Sequence, residues 1–120
     1  MTDVEAELRR GVELFNERAF WDAHEAWEQA WTPDRHGPDR GFYKGLIQVA
    51  AGYLHHSRGN RRGALIKWRS GADFLRPYLP AHHGVQLAPL VEAADRAREA
   101  VEESAGQVAV TPPLISVKDE

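Results

Sequence analysis

A chain of 120 residues is of the commonest size for one domain and can bury a single core. Its 15 basic and 18 acidic residues leave a formal charge of −3, which gives no general attraction to nucleic acid or to an anionic membrane surface. The absence of cysteine excludes disulfides, thiolate catalysis and cysteine-ligated zinc or iron–sulfur centres.

The opening stretch MTDVEAELRR is charged and lacks the apolar core of a signal peptide. The longest apolar run, GLIQVAAGYL, is too short to cross a bilayer and contains Gln48. A soluble cytoplasmic protein is expected.

In chain order, a first helix is predicted from about Asp3 to Asn16. Its apolar stripe is Val4, Leu8, Val12 and Phe15, with Asp3 at the capping position. The break at Asn16–Glu17–Arg18 is brief, so a second helix should fold back antiparallel to the first. That second helix, FWDAHEAWEQAW over residues 20–31, organises the chain. At about 100° per residue, Phe20, His24, Trp27 and Trp31 share one narrow stripe, with Trp21 and Glu28 at its edge. An imidazole and a carboxylate on such a face are costly to bury unless they find partners.

Residues 32–41, TPDRHGPDRG, read as a loop, long for a helix–helix connection, in which His36 is a solvated histidine. Residues 42–59, FYKGLIQVAAGYLHHSRG, read as a central helix that is apolar nearly all round. Its polar seam is Lys44, Gln48 and His55, while His56 shares a face with Phe42, Val49 and Tyr53. Gly45 and Gly52 cost about 1 kcal/mol each inside a helix and are tolerable where another helix or a ligand must come close.

Gly59 should stop this helix and Asn60 cap the next, which runs from residue 61 to about 76 with Ala64, Leu65, Trp68, Ala72 and Leu75 as its apolar face, continued to Leu79 past Pro77. Its basic outer face, with Arg61, Arg62, Lys67, Arg69 and Arg76, reads as solvated. PAHHGVQLAP, residues 80–89, is a turn-rich connector, and Pro89 opens a last helix running to about Ser104. The expected architecture is all-α: a compact bundle of four to five helices over residues 1–106, begun by an antiparallel helical hairpin. Residues 107–120 follow as a tail, extended over the body or a neighbouring subunit, or disordered.

His24 and Glu28 lie one helical turn apart, and the central helix offers Lys44, Gln48, His55 and His56 to meet them, with Trp31 beside. Three chemistries fit such a set. Imidazoles and a carboxylate can hold a divalent metal, the candidate ligands being His24, Glu28, His55 and His56. A carboxylate beside an imidazole can serve as an acid–base pair. A satisfied polar network can fix helix register without chemistry. The leading expectation is a structural network or a helical interaction module, with a second copy of the chain as a candidate partner. The alternative is a small-molecule or metal-dependent enzyme using His24 and Glu28 with His55 or His56.

His24, Glu28 and Trp31, together with KGLIQVAAGYLHHSRGNRRGA, carry a resemblance to the family called domain of unknown function 309, small helical proteins of bacteria and archaea. The resemblance runs from about Leu8 to Leu90, and the His-x-x-x-Glu-x-x-Trp pattern of that family falls on this trio. It implies an all-helical fold of four or five helices and no assigned activity.

Overall fold

The computed structural model describes residues 4–118, so the cap expected at Asp3 lies outside the described residues. Five helices form: α1 Val4–Asn16, α2 Phe20–Trp31, α3 Arg40–Ser57, α4 Arg61–Leu75 and α5 Ala88–Glu103. The chain is all-α, and each helix packs mainly on the next in sequence, giving a body of 48 × 25 × 25 Å. No helix of the described residues is long and apolar enough to cross a membrane.

Periodicity placed α2 at its observed bounds because its stripe is local. Phe20, Ala23, Trp27 and Ala30 are all buried against α1 and α3. Trp27 is fully enclosed and its indole Nε1 donates to the Leu8 carbonyl at 3.1 Å, which ties α2 to α1. The predicted loop is shorter than expected. A 3-10 turn continues α2 over Thr32–Asp34, and α3 starts at Arg40, with Asp39 as its N-cap.

α3 is buried between α2 and α4, as its all-round apolar surface requires. Gly45 and Gly71 let α3 and α4 approach with backbones almost touching, since a Cβ on either glycine would come 3.0 Å from the other's carbonyl oxygen. Gly59, at φ +73°, ends the α3 turn, and the Asn60 side chain caps α4 by accepting from Gly63 N–H at 2.9 Å.

The connector before α5 is a β-hairpin rather than an unstructured turn. β1 is Ala81–His82 and β2 is Val85–Gln86, antiparallel, with Ala81 opposite Gln86 and His82 opposite Val85. Residues 107–118 run extended along the body. Asn16 brackets the buried Ile115, accepting from its N–H at 2.7 Å and donating to its carbonyl at 3.0 Å. Beyond Ile115 the chain joins the hairpin as a third strand: Val117 bridges to Val85, Gln86 N–H donates to Ser116 O at 2.9 Å, and Lys118 N–H donates to Gly84 O at 2.8 Å.

Candidate metal centre

An aspartate at a helix N-cap ordinarily accepts from the free N–H groups of the first turn. Asp39 makes no such bond. Its two oxygens face imidazoles instead: His82 Nε2 lies 2.7 Å from Oδ1, and His83 Nε2 lies 2.7 Å from Oδ2.

Two adjacent histidines reach one carboxylate because of the turn that carries them. His83 and Gly84 have φ of +49° and +80°, the positive pair that a two-residue type I′ hairpin turn demands. The left-handed conformation costs a side-chain-bearing residue about 1 kcal/mol, and His83 bears it. Gly84 carries no Cβ, and one would meet the Lys118 carbonyl oxygen at 2.7 Å. Rings back the pair from behind. Phe42 stands edge-on to His82 and His83, at 4.8 and 5.7 Å between centroids, and Tyr78 lies 4.8 Å from His82. The Tyr78 hydroxyl donates to Pro38 O at 2.8 Å, which links the aromatic backing to the loop that presents Asp39.

The trio lines a cavity of about 810 Å3 whose walls include Val4, Leu8, Tyr43 and Gln86. Burial alone would raise the Asp39 carboxyl, but the hydrogen bonds from His82 and His83 outweigh it and hold the group below the usual carboxylate range. Tyr43 is pushed up to about 12, by burial first and by the Asp39 charge second. Its phenol therefore stays protonated at neutral pH and is a hydrogen-bond donor on the cavity wall.

The two imidazole nitrogens and one carboxylate oxygen all lie within 4.8 Å of one another. A tetrahedral ion with ligands at about 2.1 Å would space them about 3.4 Å apart, so shifts of about an ångström convert the trio into a coordination set. Two imidazoles and a carboxylate suit zinc, manganese or ferrous iron and leave a position for water or substrate. Among the described residues no other three histidine or acidic side chains converge in this way.

The residues singled out from sequence have other partners. His24 Nε2 and Glu28 Oε1 pair at 3.5 Å on α2, both partly exposed, with the Trp21 ring 5.1 Å from His24. Trp21 itself is 54% exposed. The guanidinium of Arg35 stacks over Trp31 at 5.4 Å, and Lys44 lies over Phe74 of α4 at 5.3 Å. His55 Nδ1 meets the Asn60 amide at 3.2 Å, and the His56 ring lies 5.6 Å from Trp68. His24 Nδ1, Trp31 Nε1 and Gln48 Oε1 are buried without a hydrogen-bond partner among the described residues. His36 is exposed on the loop.

Asp39, His82, His83 and Tyr43 were not singled out from sequence. Asp39 sat in a loop of Asp-Arg pairs and His82–His83 in a connector. A two-residue loop ending in glycine between extended residues, as in PAHHGVQL, is a hairpin signal, and it would have put two histidines on one turn. Nothing local joins that turn to Asp39.

Residues 8–66 match the model of a family described as a domain of unknown function, DUF309. The matched segment runs from α1 into α4, so it holds Asp39 and Tyr43 and stops short of His82 and His83. No curated protein matches the chain.

Proposed function

We propose that this chain, which resembles the DUF309 family over residues 8–66, is a divalent-metal-binding protein whose ligands are Asp39, His82 and His83. The observation that carries this reading is one carboxylate shared by two imidazoles at 2.7 Å each, presented by a hairpin turn that holds His83 at positive φ. A divalent cation between the three groups would be met by an Asp39 carboxylate oxygen and by the Nε2 lone pairs of His82 and His83 with their ring protons on Nδ1, and it would balance the carboxylate's charge. Held by Asp39, His82 and His83 at the cavity wall, such an ion would supply Lewis-acid activation of a water for attack near neutral pH. The neutral phenol of Tyr43 would donate to an oxygen held there. The reaction class that this set supports best is metal-assisted hydrolysis of a small molecule.

Elemental analysis after dialysis against zinc tests the reading. About one zinc per chain is expected in the parent, with near-complete loss in His82→Ala and in His83→Ala and full retention in His24→Ala. Zinc that follows His24 and Glu28 instead, or that is absent from the parent, would remove Asp39, His82 and His83 as the centre.

A further inference from the structure

The turn that carries His82 and His83 has little support of its own. Its strands are two residues each, and a hairpin of that length is marginal unless something pairs with it or packs on it. Residues 115–118 hold one edge. Val117 bridges to Val85, Gln86 N–H donates to the Ser116 carbonyl at 2.9 Å, and Lys118 N–H donates to the Gly84 carbonyl at 2.8 Å. The last bond falls on the turn itself, at the residue after His83. The fit there is close, since a Cβ on Gly84 would stand 2.7 Å from the Lys118 carbonyl oxygen.

The segment is held in its turn from α1. Ile115 is 4% exposed and belongs to the core. Asn16, the last residue of α1, accepts from its N–H at 2.7 Å and donates to its carbonyl at 3.0 Å, across 99 residues of sequence. One side-chain amide thus serves both backbone groups of Ile115, which fixes where the segment starts and how it faces β2. Asn16 lies about 12 Å along α1 from Leu8 by the rise per residue. Leu8 lines the metal cavity, and Asn16 is not among the described residues that do. The contacts therefore run from Asn16 to Ile115, from residues 116–118 to Gly84 and Gln86, and so to the two imidazoles that face Asp39.

Without Asn16 the N–H and carbonyl of Ile115 would be buried unpaired, which is costly enough to favour lifting the segment off the hairpin. Two ligands on one turn hold a metal only while the turn is in place, so apparent affinity falls with the fraction of molecules in which it is. By reciprocity, bound metal must hold the segment down.

We propose that Asn16 is a positioning residue of the metal centre, acting through residues 115–118 on the His82–His83 turn. The inference rests on the metal reading given above and adds to it a means by which the C-terminal segment governs metal affinity.

Nuclear magnetic resonance and zinc titration of Asn16→Ala test the proposal, with Leu114→Ala, at a side chain 68% exposed on the same segment, as the control. In metal-free Asn16→Ala, amide exchange at Gln86 and Lys118 should quicken about tenfold or more, the effect of losing two hydrogen bonds. The ring resonances of His82 and His83 should move toward those of free histidine. Zinc affinity should fall about 10–100-fold, as when a group that orients a metal ligand is removed. In the parent, zinc should slow exchange at the same two amides. Leu114→Ala should match the parent throughout. Unchanged ring resonances or unchanged zinc affinity in Asn16→Ala would overturn the proposal, whatever its melting temperature. A parent that binds no zinc would remove the metal reading, and the metal-free ring resonances would then decide alone whether Asn16 holds the turn.

Discussion

Asp39→Asn is expected to weaken zinc binding by at least about a hundredfold while leaving the metal-free fold nearly unchanged. Loss of a group that merely orients a metal ligand already costs about 10–100-fold in affinity, and here a ligand itself loses its charge. The fold depends on Asp39 far less. Its side chain is 29% exposed and that of His83 47%, and ion pairs this open contribute about 0–1 kcal/mol. Asparagine also keeps one carbonyl acceptor for an imidazole. Competition against a zinc-binding dye, paired with thermal melts in chelator, separates the two effects. The expected pattern is a large loss of affinity with a melting temperature lowered by about 4 °C at most. A structural Asp–His–His network would give the reverse, with a clear drop in the chelator melt and weak zinc binding in parent and variant alike.

Gly11→Ala is expected to be the most destabilising single-methyl change at the α1–α2 contact. A Cβ on Gly11 would lie 2.2 Å from Trp27 Nε1, and 2.4 and 2.6 Å from two further indole atoms. Trp27 cannot retreat. It is fully buried, and its Nε1 is bonded to the Leu8 carbonyl one turn before Gly11. Overpacking of this kind costs about 1–3 kcal/mol and more where the neighbour is pinned, while alanine returns about 1 kcal/mol of helix propensity. The net loss should be about 2–3 kcal/mol, or roughly 10 °C in melting temperature for a chain of this size. Gly106→Ala, where nothing lies within 4 Å of the added carbon, is the control and should melt close to the parent. A Gly11→Ala protein that melts like the parent would mean that α1 and α2 are not packed this closely.

What the sequence revealed and what it hid divide along one physical line, the distance over which each feature is determined. The bounds of α2 and the i,i+4 contact of His24 with Glu28 follow from helical periodicity and are present. So are the Asn60 cap and the stop at Gly59, which need only neighbouring residues. Of the expected α2 stripe, Phe20 and Trp27 are buried, while His24 and Trp31 lie at the edge of a buried face completed by Ala23, Ala26 and Ala30. Gly45 and Gly52 signalled a close neighbour, and α4 supplies it through Leu75 and Trp68. The Asp39–His82–His83 cluster has no such local signature. Its members are joined across 43 and 44 residues, and Asp39 has a sufficient local reading as a helix cap, which the carboxylate then does not perform. The same holds for residues 115–118. Their order depends on Asn16 and on the edge of β2, pairings that hydrophobic patterning within the tail cannot express.

The most direct test of the metal centre is a cobalt(II) titration followed by visible absorption, because the bands report both stoichiometry and the ligand field. The account predicts that parent protein develops d–d absorption that saturates near one cobalt per chain, is bleached by zinc, and fails to appear in His82→Ala or His83→Ala. A parent that shows only the weak spectrum of hydrated cobalt, or one whose bands persist in both histidine variants, would contradict it.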